Sequence, residues 1–179
     1  ADLLVTGWGL NPGAAADFYA GKFANPDVVQ ATAGGGRVYL RQREEYDLKF
    51  RRFLRFQDFS ALEAWGGLRG ALIPNLNLLD GIASTRHFDP LVPEIYARWM
   101  DEIESLDPGS QKVWLAYMNV AVMERIDVRQ PGGVRYDPIE GARRWHWFPC
   151  GQAVDTEEEA WAMVKAAMNA LLQPDRAVI

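Results

Sequence analysis

Hydrophobic positions in this chain switch repeatedly between a strand-like and a helix-like period. Leu3, Leu4, Val5 and Trp8 mark residues 2–10 as a strand, and Asn11-Pro12-Gly13 turns the chain. Phe18, Tyr19 and Phe23 then recur at helical spacing within a helix read from Ala14 to Phe23. Asn25-Pro26 stops that helix, because the residue before proline is pushed out of the α region. Val28 to Ala33 and Arg37 to Arg41 read as extended, broken by Gly34-Gly35-Gly36. Glu44-Glu45-Tyr46-Asp47 reads as a polar turn between Val38-Tyr39-Leu40 and a further strand, Phe50 to Phe56, which predicts a hairpin. Ser60 and Glu63 have the spacing of a capping box for a second helix. Gly66-Gly67 weakens that helix and Pro74 ends it, and Ile82 to Leu91 has the length of a fourth strand.

The second half alternates in the same way. Pro93 begins a helix with Ile95, Trp99, Ile103 and Leu106 on one stripe, closed by Asp107-Pro108-Gly109. Val113 to Val122 is apolar on both alternate faces, as a strand covered on both sides would be, and so predicts a central strand. Met123 to Arg129 continues it as far as the turn at Pro131-Gly132-Gly133, and Arg143 to Phe148 reads as another strand. Thr156 and Glu159 form a second capping-box spacing, before an amphipathic stripe of Trp161, Val164, Met168, Leu171 and Leu172. The sum is an α+β chain: a β-α-β-β-α-β unit over 1–92, then helix-strand-strand-helix over 93–179 packed on the same core.

Composition narrows the function classes. The 179 residues are 49% apolar and 24% charged, enough to build a core and unlike a disordered chain. A net charge of -5 argues against a nucleic-acid surface, which needs clustered cations to displace counterions. Arg37, Arg41, Arg43, Arg51, Arg52 and Arg55 do cluster, but Glu44, Glu45 and Asp47 interrupt them, so they read as a solvated hairpin face. No apolar run reaches the ~18 residues of a membrane span, so no membrane partner is expected. One cysteine, Cys150, excludes an intrachain disulfide and fits a reducing, cytoplasmic setting. Seven Trp, six Tyr and eight Phe are many for this length, and either a wide cavity or an oligomer contact would use them.

Candidate chemistry is sparse. Gly34-Gly35-Gly36 lacks a following Lys-Ser/Thr and opens no helix, so it reads as a turn rather than a phosphate loop. His87 and His146 are the only histidines. In Thr85-Arg86-His87-Phe88-Asp89, strand alternation puts His87 and Asp89 on one face, the arrangement of a general base with an orienting carboxylate. The alternative is a surface histidine beside a turn-forming Asp-Pro. His146 lies between Trp145 and Trp147, as a cavity-lining polar group or a satisfied core histidine. Cys150 reads as a small buried residue, since a nucleophilic cysteine needs an activating base. No histidine spacing supports a metal site, and no cofactor pattern is present, so neither is expected.

Four segments, DLLVTGWGL, AADFYAGKFANPDVVQATAGGGRVYL, RRFLRFQDFSALEAW and IASTRHFDPL, together resemble the dimeric α+β barrel superfamily over residues 1–92. Its members include antibiotic-biosynthesis monooxygenases, muconolactone isomerases and small polyketide cyclases. Many relatives carry His-x-Pro after the first helix; Phe23-Ala24-Asn25-Pro26 keeps the proline and lacks the histidine. The resemblance implies a ferredoxin-like antiparallel sheet with helices on one face, as two joined units or a dimeric barrel, and hence a homodimer. It also implies an apolar pocket on the sheet face for a small hydrophobic molecule, lined by Trp8, Tyr39, His87, Asn119, His146 and Trp147. Proton transfer, isomerisation or cofactor-free oxygenation would suit such a pocket, with His87 as base and Asp89 orienting it. The competing expectation is a structural assembly subunit whose aromatic-rich strands form an oligomer interface.

Overall fold

Asn25-Pro26 starts a helix instead of ending one. In the computed structural model, which describes residues 16–21, 25–53, 65–86, 91–147 and 151–172, the Asn25 side chain accepts from the Asp27 amide and caps Pro26–Thr32 (α2). A shorter helix, Ala16–Ala20 (α1), precedes it. Residues 28–33, which read as extended, therefore lie mainly in α2. The physical reason is the cap: an Asn side chain satisfies an orphan amide while proline tolerates the first turn.

After the glycine turn comes Arg37–Leu40 (β1), and the expected hairpin is replaced by Gln42–Tyr46 (α3) running into a π-helical segment, Asp47–Phe53. Leu48 and Phe53, five residues apart, are its buried residues. The strand expected from Phe50 is thus helical as far as Phe53; residues 54–64, including Ser60 and Glu63, lie outside the described residues. Trp65–Gly70 (α4) follows. Arg69 of α4 is fully buried and held by Asp80 at 2.8 Å and by the Gly21 carbonyl at 2.8 Å. Of the fourth strand expected over 82–91, residues 82–86 and 91 are described, and of these Ala83–Ser84 (β2) form a strand.

Asp107-Pro108-Gly109 likewise opens a helix. Glu94–Ser105 (α5) ends before it, and the Asp107 carboxylate accepts from the Gly109 and Ser110 amides to cap Pro108–Tyr117 (α6). The apolar run from Val113 is therefore helical before it is extended. Asn119, with φ of 59°, turns the chain into Val120–Ile126 (β3). Val134–Pro138 (β4) returns beside it, whereas residues 143–147, expected to be a strand, are irregular. Glu157–Leu171 (α7) is capped as its sequence predicts, with the Thr156 hydroxyl accepting from the Glu159 amide at 3.2 Å.

The strands form one four-stranded sheet in the order β2-β1-β3-β4. β1 is parallel to both β2 and β3, and β4 is antiparallel to β3, so the pairing is mixed where an antiparallel sheet was expected. The sheet draws strands from both sides of residue 92. Its two faces are both covered, because the strands bear apolar side chains alternately up and down. Tyr39 and Met123 pack with Met100, Ile103, Trp114 and Trp161 of α5, α6 and α7. Leu40 and Val134 pack on the other side with Leu48, Phe53 and Leu68, and Val38 with Val28 of α2. Helices on one face only are thus not what the chain forms. Among the described residues, no helix is long and apolar enough to cross a membrane.

Candidate functional site

Covering both faces of the sheet leaves the β2 edge as the place where concave surface gathers. A cleft of about 650 Å3 is lined there by Arg37 of β1, Ala83 and Ser84 of β2, Asn75, Asn77 and Leu78 before β2, and Arg86 after it. Its opposite wall is Leu91, Val92, Pro93 and Tyr96 at the start of α5. Ligand clefts commonly hold about 300–1,000 Å3 and combine apolar walls with a few oriented polar groups. Arg86, Val92 and Tyr96 also line a second cleft of about 490 Å3, and Arg37 and Ala83 a third of about 480 Å3. The first cleft thus shares wall residues with each of the other two.

Local chemistry fixes the groove's polar groups. The Asn77 side chain accepts from the Asn75 amide at 2.9 Å and donates to the Ile82 carbonyl at 2.6 Å, which holds the loop before β2. The Tyr96 hydroxyl donates to the Thr85 carbonyl at 2.5 Å and ties α5 to the end of β2. Burial pushes the Tyr96 hydroxyl above its ordinary range, while the positive charges of Arg37 and then Arg86 pull it down. Arg86 donates through Nη2 to Glu104 of α5 at 2.7 Å, and its buried Nε has no hydrogen-bond partner among the described residues. Arg37 and Arg144 have no acidic partner among the described residues.

The residues expected to line a pocket are dispersed by this arrangement. Trp8, His87 and Asp89 lie outside the described residues; the flanking Arg86 and Leu91 both line the 650 Å3 cleft. Tyr39 is fully buried in the core, its hydroxyl donating to Glu104 at 3.0 Å, and it lines none of these clefts. Asn119 lines the third cleft and donates from Nδ2 to the Gly35 carbonyl at 2.7 Å. His146 stacks on Tyr117, another wall of that cleft, with ring centroids 4.7 Å apart. Asn119 and His146 are thus brought to the same end of the groove. Trp147 is 92% exposed and lines none of the three clefts.

Arg37, Arg86, Arg144 and Tyr96 are the groove residues that sequence reasoning passed over. Arg37 was grouped with the hairpin arginines, and that grouping failed once the hairpin proved to be a helix. Two members of that group have partners of their own: Arg51 pairs with Asp47 at 3.2 Å, and Arg41 donates from Nε to Gln111 at 3.1 Å. Among the described residues no group of His, Cys, Asp and Glu is arranged to hold a metal ion.

No family model, no curated protein and no solved structure matches the chain. The residues themselves define an α+β domain with a mixed four-stranded sheet and a groove along one sheet edge.

Proposed function

We propose that this domain binds a small organic molecule in the groove along the β2 edge. The observation that carries the reading is the 650 Å3 cleft, where Leu78, Leu91, Val92 and Pro93 line one concavity together with Arg37, Asn75, Ser84 and Arg86. Leu91 is 83% exposed, an apolar side chain that a ligand would cover. The reading stops at binding: the described residues lining this cleft include no Asp, Glu, His or Cys, and His87 and Asp89 lie outside the described residues. Proton transfer by His87 with Asp89 rests on their sequence pattern alone.

Ligand-observed NMR against a library of aromatic and aliphatic fragments tests the reading. Val92 lines two of the clefts and is 43% exposed, so Val92→Glu places a charge in the groove without emptying the core. Fragment hits should disappear in that variant while its melting temperature stays unchanged. Hits that persist place the ligand elsewhere.

A second reading, an oligomer interface, is favoured by Trp145 and Trp147, which are 81% and 92% exposed within five residues of irregular chain. Aromatic side chains of this size are enriched where proteins meet. Sedimentation of the wild type and a Trp145→Ser/Trp147→Ser variant decides it: a dimer that becomes monomeric supports the interface, and a wild-type monomer removes it.

A further inference from the structure

The first and third clefts carry a charge pattern opposite to that of the chain, whereas the second is lined by Glu45, Lys49 and Asp101 as well as Arg86. The whole sequence has a net charge of -5, yet the described linings of the first and third clefts hold Arg37, Arg86 and Arg144 and no Asp or Glu. Arg37 lines both clefts. Glu104 compensates Arg86, which leaves Arg37 and Arg144 uncompensated among the described residues. Arginines without an acidic partner in a concave wall raise the local positive potential, and the planar guanidinium fork matches phosphate and carboxylate oxygens; the Arg144 guanidinium itself lies 5.8 Å from the Trp145 ring centroid.

Gly35 lies in the same wall. It has φ of 84°, and a side chain built there would come within 3.6 Å of Arg144 Nη1, so the glycine turn and Arg144 are packed together. The Asn119 side chain ties that turn down through the Gly35 carbonyl. The glycine run dismissed from its sequence as a phosphate loop therefore ends beside two uncompensated arginines, without being a nucleotide loop of either familiar kind.

We infer that the ligand of this groove bears a phosphoryl group, held between Arg37 and Arg144, with its apolar body lying toward Leu91 and Val92. Two uncompensated cations match the charge of roughly two that a phosphate monoester carries near neutral pH. A monocarboxylate would neutralise only one of them. The inference rests on the groove being a binding site, and its test separates the two statements.

Titration calorimetry of the full chain with pyrophosphate, and with citrate as a carboxylate of similar charge, reads the anion preference. Saturable pyrophosphate binding is expected, weakened about tenfold or more by Arg37→Gln and by Arg144→Gln, as loss of one charge-assisted hydrogen bond implies. Arg37→Lys, which keeps the charge and loses the fork, should retain part of the affinity. Both arginines are exposed, so melting temperatures of the variants control for folding. Pyrophosphate binding that is absent, or unaltered in both Gln variants, overturns the inference, as does citrate binding of equal strength. If neutral fragments still bind in a manner sensitive to Val92→Glu, the groove reading survives that failure; if nothing binds, both fall.

Discussion

Arg86 Nη2 lies 2.7 Å from Glu104 Oε1, and that same oxygen accepts from the Tyr39 hydroxyl at 3.0 Å and the Gln42 amide at 2.9 Å. One carboxylate thus joins β1, the start of α3 and the segment after β2 to α5. Three donors on one oxygen fix the position of Arg86 against the groove wall, since a charge-assisted bond is short and strongly directional. The nearby carboxylate also helps burial push the Tyr39 hydroxyl above its ordinary range.

Glu104→Ala removes all three bonds and leaves Arg86, which is largely shielded from solvent, without its acid. The expected loss is about 2–4 kcal/mol, between the value of hydrogen bonds to a charged group and that of breaking a buried pair. Tyr39→Phe removes one bond and should cost about 1 kcal/mol. Urea unfolding of both variants checks the ranking, and equal losses would contradict the shared-oxygen arrangement.

Glu124 in β3 is wholly buried, and neither of its carboxylate oxygens has a hydrogen-bond partner among the described residues. Burial first, then the charges of Glu44 and Glu45, hold its carboxyl well above the usual carboxylate range. The unfolded chain loses this proton near pH ~4.3 and the folded chain only at higher pH. Between those points the native state binds more protons, so stability falls as pH rises through the window. Glu44, pushed up chiefly by its burial, acts in the same sense. Glu124→Met should therefore stabilise the protein near neutral pH by about 1–3 kcal/mol and flatten the slope. Urea midpoints measured from acid to neutral pH read both effects; a variant less stable than wild type at neutral pH would contradict them.

Gly36 closes the glycine turn against the sheet. A side-chain carbon there would sit 2.7 Å from the Ala121 Cβ, closer than real carbons approach. Gly36→Ala should cost about 1–3 kcal/mol through overpacking. Adding Ala121→Gly removes the opposing methyl, so the double variant should be more stable than the sum of the singles implies. Additive losses in a denaturation cycle would show that the two positions do not meet.

Much of this fold was legible where a local device decides the outcome. Thr156 and Glu159 announced α7 because a capping box acts over four residues, and Trp161 and Met168 fell on its buried side. The stripe of Ile103 with Trp99 announced α5 in the same way. Reading failed where two structures share one pattern. Val113 to Tyr117 is apolar because α6 is buried by both the sheet and the Trp99–Trp161 cluster, and a short apolar run cannot be told from a covered strand. Leu48 and Phe53 are spaced for a π-helical turn, a period that matches neither alternation nor the α-helix. The groove was hidden for a different reason. Arg37, Arg86 and Arg144 are about fifty residues apart along the chain and meet only because β1 pairs with both β2 and β3.

Amide NMR of the labelled chain during a pyrophosphate titration addresses the groove most directly. Saturable shifts should concentrate at Gly35, Arg37, Ala83, Ser84, Asn119 and Arg144, which line the first and third clefts. They should be lost in the Arg37→Gln variant. Shifts that are absent, or that gather instead around the exposed Trp145 and Trp147 with the groove amides unmoved, would contradict a phosphoryl site at Arg37 and Arg144.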